Sequence, residues 1–410
     1  MTDFRAPKGT EDVMPPRSHW WRMAHRIFDE MCERYGYGLT LTPMFEDTEV
    51  FARGVGGDTE VVEKQMYTFL DKGERSITLR PEATASVVRA RIQAGGVATR
   101  FKGAYWGPMF RYERPQKGRN RQFYQAGIEY LGSSSPEADV EVIEFGFRYL
   151  QRLGISDIDV RINSIGDPSD RAAYRTRITT FLESRREELS EDSQRRIATN
   201  PMRVLDSKVD GDVVKDAPVP IDHLGDEAAE HFSAVRRGLD NLGIGYTIDP
   251  LLVRGLDYYN RTVWEYIPRS YDAAQSSVGG GGRYDGLFEV LGGKPTPGVG
   301  LAMGIDRIQL AAPDLEQEPL LDAFVIAGSD GDRPRARKLT ADLRTAGLRV
   351  DMTDRARPMK AQFREADRNL AATAIIVGSE WDDGVVTVKR LATGEQDVIA
   401  VKEIESWLRA

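Results

Sequence analysis

Apolar residues recur at helical spacing near the start of the chain, at Trp20, Ala24, Ile27 and Met31, with Trp21 and Phe28 beside them. This stripe predicts an amphipathic helix capped by Ser18 and stopped at Gly36. The next stretch, 39–43, alternates as a strand and ends at a proline, so helix and strand together suit either a subunit contact or plain core. A further alternating strand, 76–80, runs into Pro81, which predicts a helix opening at Glu82, Ala83 and Thr84. Segments 104–113 and 122–130 read as two strands of a hairpin joined by a turn-prone basic loop. In the later strand, alternation puts Phe123, Gln125, Gly127 and Glu129 on one face and Tyr124, Ala126, Ile128 and Tyr130 on the other. Gln125 and Glu129 thus point the same way, with side-chain-sized room above Gly127. Arg111 falls in the opposite phase to Phe110 and Tyr112.

From 167 to 242 the texture changes: charged helical segments such as 181–196 alternate with loops such as 213–220, which predicts an inserted helical domain with solvated charged faces. Strand character returns at 251–254 and 262–266. Four consecutive glycines follow at 279–282, then a small-residue strand, from 298, turns into a helix with Arg307 in its first turn. After a linker at 313–319 the order is β-α-β-α-β, over 323–327, 334–346, 348–352, 360–370 and 374–377. A strand at 385–389 and a helix from 402 complete a small α/β domain with a largely parallel sheet.

Several of these positions carry chemistry. A sheet face bearing Arg, Gln and Glu is costly to bury without a partner, which points to the floor of a polar site; the alternative is the solvated face of an antiparallel sheet. The hairpin loop holds Arg114, Lys117, Arg119 and Arg121 and suits a polyanion. Glu82 and Thr84 at a strand-to-helix turn can hold an ammonium group, although spacing alone favours simple charge placement in a helix's first turn. Arg254 with Tyr258 and Tyr259 supplies a cation and two phenols, or two tyrosines that merely pack. The glycine run permits close backbone approach to a ligand, or is a flexible loop. Arg307 at a helix start fits a phosphate. Neither a Walker A sequence nor a dinucleotide fingerprint occurs, so any nucleotide binds by another plan.

Composition narrows the class. A length of 410 residues suggests two or three domains, and 40% hydrophobic with 29% charged residues is ordinary for a globular protein. No apolar run approaches a membrane span, and the opening MTDFRAPKGTED lacks a signal-peptide profile, so a cytoplasmic location is expected. The single Cys32 excludes an intrachain disulfide, in keeping with a reducing compartment. With one cysteine and four scattered histidines a structural zinc cluster is not expected, and His25 and Cys32 read as packing or surface residues. The net charge of −8 argues against nucleic acid less than it suggests: residues 333–368 hold eleven Lys and Arg against five Asp and Glu. A nucleic-acid partner would meet local basic patches, with affinity that falls as salt rises.

Taken together, LRPEATA (79–85), FRYERPQKGRNRQFYQ (110–125), RGLDYYNRTVWE (254–265), GGGRYDGL (280–287) and GVGLAMGIDR (298–307) resemble the class II aminoacyl-tRNA synthetases, and among them the histidyl-tRNA synthetase family. The resemblance spans essentially the whole chain, and the 254–259 segment is its most specific part. It implies a catalytic α+β domain with the antiparallel sheet of class II synthetases over 1–166 and 243–315. It further implies a helical insertion domain over 167–242 and an α/β anticodon-binding domain over 320–410, in a homodimer without membrane association.

Position by position, the family implies that Glu82, Thr84 and Gln125 hold the α-ammonium group of histidine, with Ala83 beside it. Glu129 and Tyr259 would grip the two imidazole nitrogens, with Tyr258 and Tyr284 lining the pocket. ATP would meet Arg111, Arg119, Arg121, Arg254 and Arg307: Arg111 at the α-phosphate from one side, Arg254 from the other, in the place where some relatives use a metal ion, and Arg307 at the γ-phosphate. The loop residues Gln116, Lys117 and Arg119 would meet the acceptor end of histidine tRNA. ATP is the implied co-substrate, with Mg²⁺ on its pyrophosphate and no protein metal ligand. Three positions depart from the family: Ala83 stands for a glycine, Tyr124 for a histidine and Asp306 for a glutamate. By alternation Tyr124 faces away from Gln125 and affects sheet packing. A rival resemblance is the synthetase-like regulatory subunit of ATP phosphoribosyltransferase, which aminoacylates nothing; that family typically lacks the anticodon domain and erodes the arginines present here.

Overall fold

The computed structural model describes residues 3–57, 59, 61–97, 99–207, 209–270, 277–313 and 319–409. The chain divides into two compact units, 1–313 and 314–410; most of the expected linker at 313–319 lies outside the described residues.

The first unit is built on an eight-stranded sheet. Its strands run in the order Gly38–Leu39, Phe101–Phe110, Gln122–Leu131, Gly298–Gly304, Gly279–Arg283, Asn260–Pro268, Ile158–Ser164 and Thr247–Ile248. Pairing is antiparallel throughout the interior and parallel only at the two edges. One face is apolar by alternation: Ala126 and Ile128, Val299, Leu301 and Met303, Trp264 and Tyr266 all enter the largest core. Helices Arg17–Tyr35 and Pro136–Arg152 cover that face with Trp21, Ala24, Phe28, Met31, Val142, Phe145 and Tyr149. The opposite face of the same strands carries Gln125, Glu129 and Glu265.

The N-terminal helix forms where the stripe predicts. Gly36 at φ 74° closes it, its N–H bonding back to the Cys32 and Glu33 carbonyls, which only a left-handed residue does cheaply. Ser18 does not cap it: the helix starts at Arg17, Pro16 stands at the cap position without a side-chain bond, and Ser18 sits in the first turn. The strand expected over 39–43 is shortened to Gly38–Leu39, because only Gly38 and Leu39 find register with Gly103 and Ala104.

Three further expectations are corrected. Segment 251–254 is not a strand, since its backbone departs from the sheet before Asn260 rejoins it. The glycine run is no loop: Gly279–Arg283 is an interior strand paired on both sides. The helix expected over 181–196 breaks at Arg185, where Pro168–Ser184 ends, and restarts at Glu191 under a Ser190 cap. The remaining helical segments to Asn241 include Gly211–Val214 and Asp226–Asn241.

The second unit is a five-stranded sheet in the order Val350–Met352, Leu321–Ala327, Ala371–Val377, Val385–Arg390, Gln396–Ala400. The first three strands are parallel and the last two antiparallel. Helices Arg333–Thr345, Met359–Arg368 and Ile404–Arg409 accompany it, and cores form on both faces, Val325 and Ile375 on one, Phe324 and Ala374 on the other. The strand at Gln396–Ala400 was not expected; its half-exposed QDVIA pattern is a weak signal.

Candidate active site

Cross-strand register explains how the polar face of the large sheet accepts long side chains. Glu129 lies between Gly103 and Gly300, and Gln125 between Gly107 and Gly304. Each therefore has bare backbone on both neighbouring strands. A Cβ at Gly300 would stand 1.8 Å from Glu129 Oε2, and one at Gly298 2.4 Å from the Tyr284 ring. Likewise Gly282 leaves space for the Tyr259 ring and Gly280 for the Arg254 guanidinium, where a Cβ would come within 2.6 and 3.0 Å. The glycine run thus does allow close approach, by the protein's own side chains. The room expected above Gly127 is filled: Tyr105, its register partner, lays its phenol there, 2.3 Å from where a Cβ would be.

Glu129 is fully buried and accepts hydrogen bonds from Thr84 Oγ1 at 2.7 Å and from the Tyr284 hydroxyl. Burial pushes its carboxyl up to about 8; the Tyr284 and Thr84 hydrogen bonds oppose this, and Glu82 adds to it. Glu82 lies just before helix Thr84–Gln93 and accepts from the Thr84 and Ala85 N–H groups at 2.7 and 2.9 Å. The plain role of charge at a helix start is therefore fulfilled, yet burial still raises the Glu82 pKa. Ala83 is buried beside it. Tyr258 and Tyr259 meet edge-on at 4.6 Å, and Tyr258 meets Tyr284 at 5.7 Å, so three phenol rings wall one side.

Arg254 pairs with Glu265, which alternation puts on the polar face of Asn260–Pro268, and its guanidinium lies 6.0 Å from the Tyr259 ring centre. Burial acts to lower its pKa, but Glu265 together with Tyr259 and Tyr258 outweighs burial and raises it. Arg111 follows the end of strand Phe101–Phe110, donates Nε to the Pro81 carbonyl at 2.9 Å and lies over Phe123 at 5.3 Å. Its pKa falls through burial and through repulsion from Arg254, against the pull of Glu113 and Glu82. Arg111, Arg254, Glu82 and the tyrosines thus act on one another in one place. Among the described residues, three buried polar atoms there find no hydrogen-bond partner: Gln125 Oε1, Tyr105 Oη and Arg254 Nε. Such atoms carry a desolvation cost that a polar ligand removes.

Arg307, third in helix Ile305–Ala311, donates to the carbonyls of Gly118 and Ser277 at 3.0 and 3.1 Å and so joins the basic loop to the sheet. In that loop Arg119 faces Glu113 at 3.5 Å. Arg121 donates to the Glu113 carbonyl and covers the Tyr112 ring at 3.9 Å. Arg114, Gln116 and Lys117 are exposed. Tyr124 packs on Trp21 in the opposite layer, 5.0 Å edge-on, as alternation predicts. Asp306 accepts from the Tyr124 N–H at 2.9 Å, so the shorter acid ties helix to strand.

Sequence reasoning missed Tyr105, Glu265 and a buried support. In the last, Arg283 bonds Asp139 and the Ser133 and Ser135 carbonyls, with His231 3.3 Å from Asp139. Tyr105 was legible only through hairpin register, as a large polar ring opposite a glycine.

A family model described as histidyl-tRNA synthetase matches residues 9–308, and one described as an anticodon binding domain matches residues 322–410. The histidine–tRNA ligase of Streptococcus pneumoniae (strain CGSP14) is 44% identical over 98% of this chain and 96% of its own length. That of Halothermothrix orenii is 45% identical over 96% of both chains. Among solved structures, apo histidyl-tRNA synthetase of S. aureus superposes over the whole of both chains with a TM-score of 0.80 at 37% identity.

Proposed function

The chain belongs to the histidyl-tRNA synthetase family of aminoacyl-tRNA ligases, and on that premise we propose how its residues join histidine to its tRNA. The ligase uses ATP: a histidine carboxylate oxygen attacks the α-phosphorus, the bond to pyrophosphate breaks, and histidyl-adenylate forms. A hydroxyl of the tRNA's terminal ribose then attacks the activated carbonyl, and AMP leaves. No protein nucleophile takes part.

Glu129 and Tyr259 take the two imidazole nitrogens. A carboxyl and a phenol each give or accept a proton, so together they match a ring with two unlike nitrogens, and an apolar isostere would leave both unpaired. Glu82, Thr84 and Gln125 take the α-ammonium group beside Ala83, and Tyr258 and Tyr284 close the ring wall. The observation that carries this is the convergence of unpartnered buried atoms, Gln125 Oε1, Tyr105 Oη and Arg254 Nε, around a fully buried acid. Arg111 and Arg254 neutralise the charge that grows on the α-phosphate, a role their mutual repulsion in the ligand-free site suits. Arg307 with Arg119 and Arg121 meets the remaining phosphates, and Gln116, Lys117 and Arg119 meet the acceptor end.

Mg²⁺ is the expected companion of ATP, but the carboxylates here do not make a cage for it: Glu82 bonds backbone N–H groups, Glu129 hydroxyls and Glu265 Arg254. It would travel on the pyrophosphate oxygens, and no step depends on a protein-bound ion.

The domain reading is 1–166 with 243–315 for catalysis, 167–242 over the acceptor arm and 320–410 for the anticodon. A homodimer is supported by exposed Leu39, Leu41, Met44 and Phe45 beside the short edge strand. Among the described residues no helix is long and apolar enough to cross a membrane, and a cytoplasmic site of action fits the buried, unpaired Cys32. The regulatory-subunit alternative loses ground to full-length ligase relatives at 44–45% identity.

Histidine-dependent exchange of pyrophosphate into ATP tests the site. Arg254→Ala should lower kcat about 10²–10³-fold, the usual loss on removing one preorganised donor to a developing charge. Near-normal exchange in that variant would refute its role.

A further inference from the structure

The segment that carries Arg254, Tyr258 and Tyr259 belongs to no helix or strand from 251 to 259, so no ladder holds it. Side chains of the helical region hold it instead. Arg171, on Pro168–Ser184, gives Nη1 to the Tyr259 carbonyl and, at 3.4 Å, to that of Asp257. Asn200, at the end of Glu191–Thr199, gives Nδ2 to Asp257 Oδ1 at 2.9 Å. Arg203, in the turn Pro201–Asp206, donates to the Gly255 carbonyl and brings Nε within 3.8 Å of Asp257 Oδ1.

On the other side the Asp257 N–H bonds the Val55 carbonyl at 3.1 Å. A cavity of about 490 Å³ lies beside the segment, lined by Arg53, Gly56, Tyr258 and Tyr259 and also by Pro168 and Arg171 of the helical region. The segment is thus held by the helical region, and open volume adjoins both its tyrosines and the Arg171 brace. Backbone held by side chains that can shift, next to space it can enter, follows its braces.

We infer that Arg171, Asn200 and Arg203 are positioning residues: through Gly255, Asp257 and Tyr259 they set where Arg254 and Tyr259 stand. The helical region then governs histidine activation before any tRNA binds, and a tRNA that moves those helices acts on the same segment. This rests on the roles given above to Arg254 and Tyr259.

The test is tRNA-free pyrophosphate exchange by the full chain with Arg171→Ala, Arg171→Lys, Arg203→Ala and the near-isosteric Asn200→Asp, which sets a carboxylate against Asp257. Arg195→Ala, an exposed residue paired to Asp192, is the control. Arg171→Ala, Arg203→Ala and Asn200→Asp should raise the histidine KM and lower kcat, reducing kcat/KM about ten- to a hundredfold, as small displacements of catalytic groups do. The ATP KM and the Tm of Asn200→Asp should hold, Arg171→Lys should recover part of the loss by donating to the same carbonyls, and the control should match the parent. Should Arg171→Ala disturb folding, Asn200→Asp decides. Unchanged histidine kinetics, or a loss seen only once tRNA is added, overturns the inference. Arg254→Ala run alongside separates the two claims: if it is inactive while the brace variants are normal, only the brace falls; if it too is normal, the site reading falls first.

Discussion

Replacing Glu129 by glutamine removes the fully buried acid proposed to face the imidazole, with little change of shape. Burial pushes this carboxyl up to about 8 from an ordinary value of 4.5. The folded chain then holds a proton over that interval which the unfolded chain has released. Stability rises with pH only where the unfolded state binds more protons, so here the sign is reversed: stability falls as pH climbs from about 4.5 to about 8 and is level above. Each unit is worth about 1.4 kcal/mol, so the fall is roughly 2–3 kcal/mol between pH 6 and 8 and at most about 5 kcal/mol over the whole window. A neutral amide at 129 feels none of this. The Tm of the ligand-free parent should therefore drop against that of Glu129→Gln by several degrees between pH 6 and pH 8, on a scale of roughly 2–4 °C per kcal/mol for chains somewhat shorter than this one. Infrared spectra should show a protonated-carboxyl band near neutrality in the parent that the variant lacks. Parallel Tm curves over that range, or a drop in the variant instead, would refute a neutral Glu129.

Gly300→Ala places a methyl 1.8 Å from Glu129 Oε2 and must move that carboxyl off Thr84 or Tyr284; the histidine KM in exchange assays should rise about tenfold or more while the ATP KM holds, and an unchanged histidine KM would deny the close fit. Removing 320–410 should weaken tRNA charging far more than histidine activation, because the first unit has its own core and the pocket lies within it. Equal loss in both assays contradicts a separable anticodon role. Light scattering should give twice the chain mass, and an active monomer would reject the proposed dimer.

The sequence carried the layout because its signals were local. The Trp20–Met31 stripe, the alternation in 122–130 and the strand-helix order after 320 each depend on neighbours along the chain, and each formed nearly as read. What failed depended on partners far away. Four glycines give no period, so their place as an interior strand is decided by Trp264, Met303 and the side chains that lie across them. Segment 251–254 has strand-like composition but joins no ladder, and the Leu252 carbonyl is taken by the Asn163 side chain. Tyr105 and Glu265 earn their places through register and an ion pair, which a linear pattern does not display. Even the resemblance, which pointed to the pocket residues by number, said nothing of why glycines must surround them.

Those bare neighbours have a consequence for how amino-acid choice is retained. Rotamers of adjacent side chains do not space the groups that would hold histidine; the ladder does, whose strands repeat at about 4.8 Å. Substitution at a typical pocket wall trims or enlarges it gradually, but at Gly300 the smallest step available is a whole methyl into the Glu129 carboxylate, and at Gly103 one into the Phe101 ring and Thr40. Such a floor offers no intermediate sizes. Its preference changes only by breaking, so drift toward a near-cognate amino acid has no graded path across this surface.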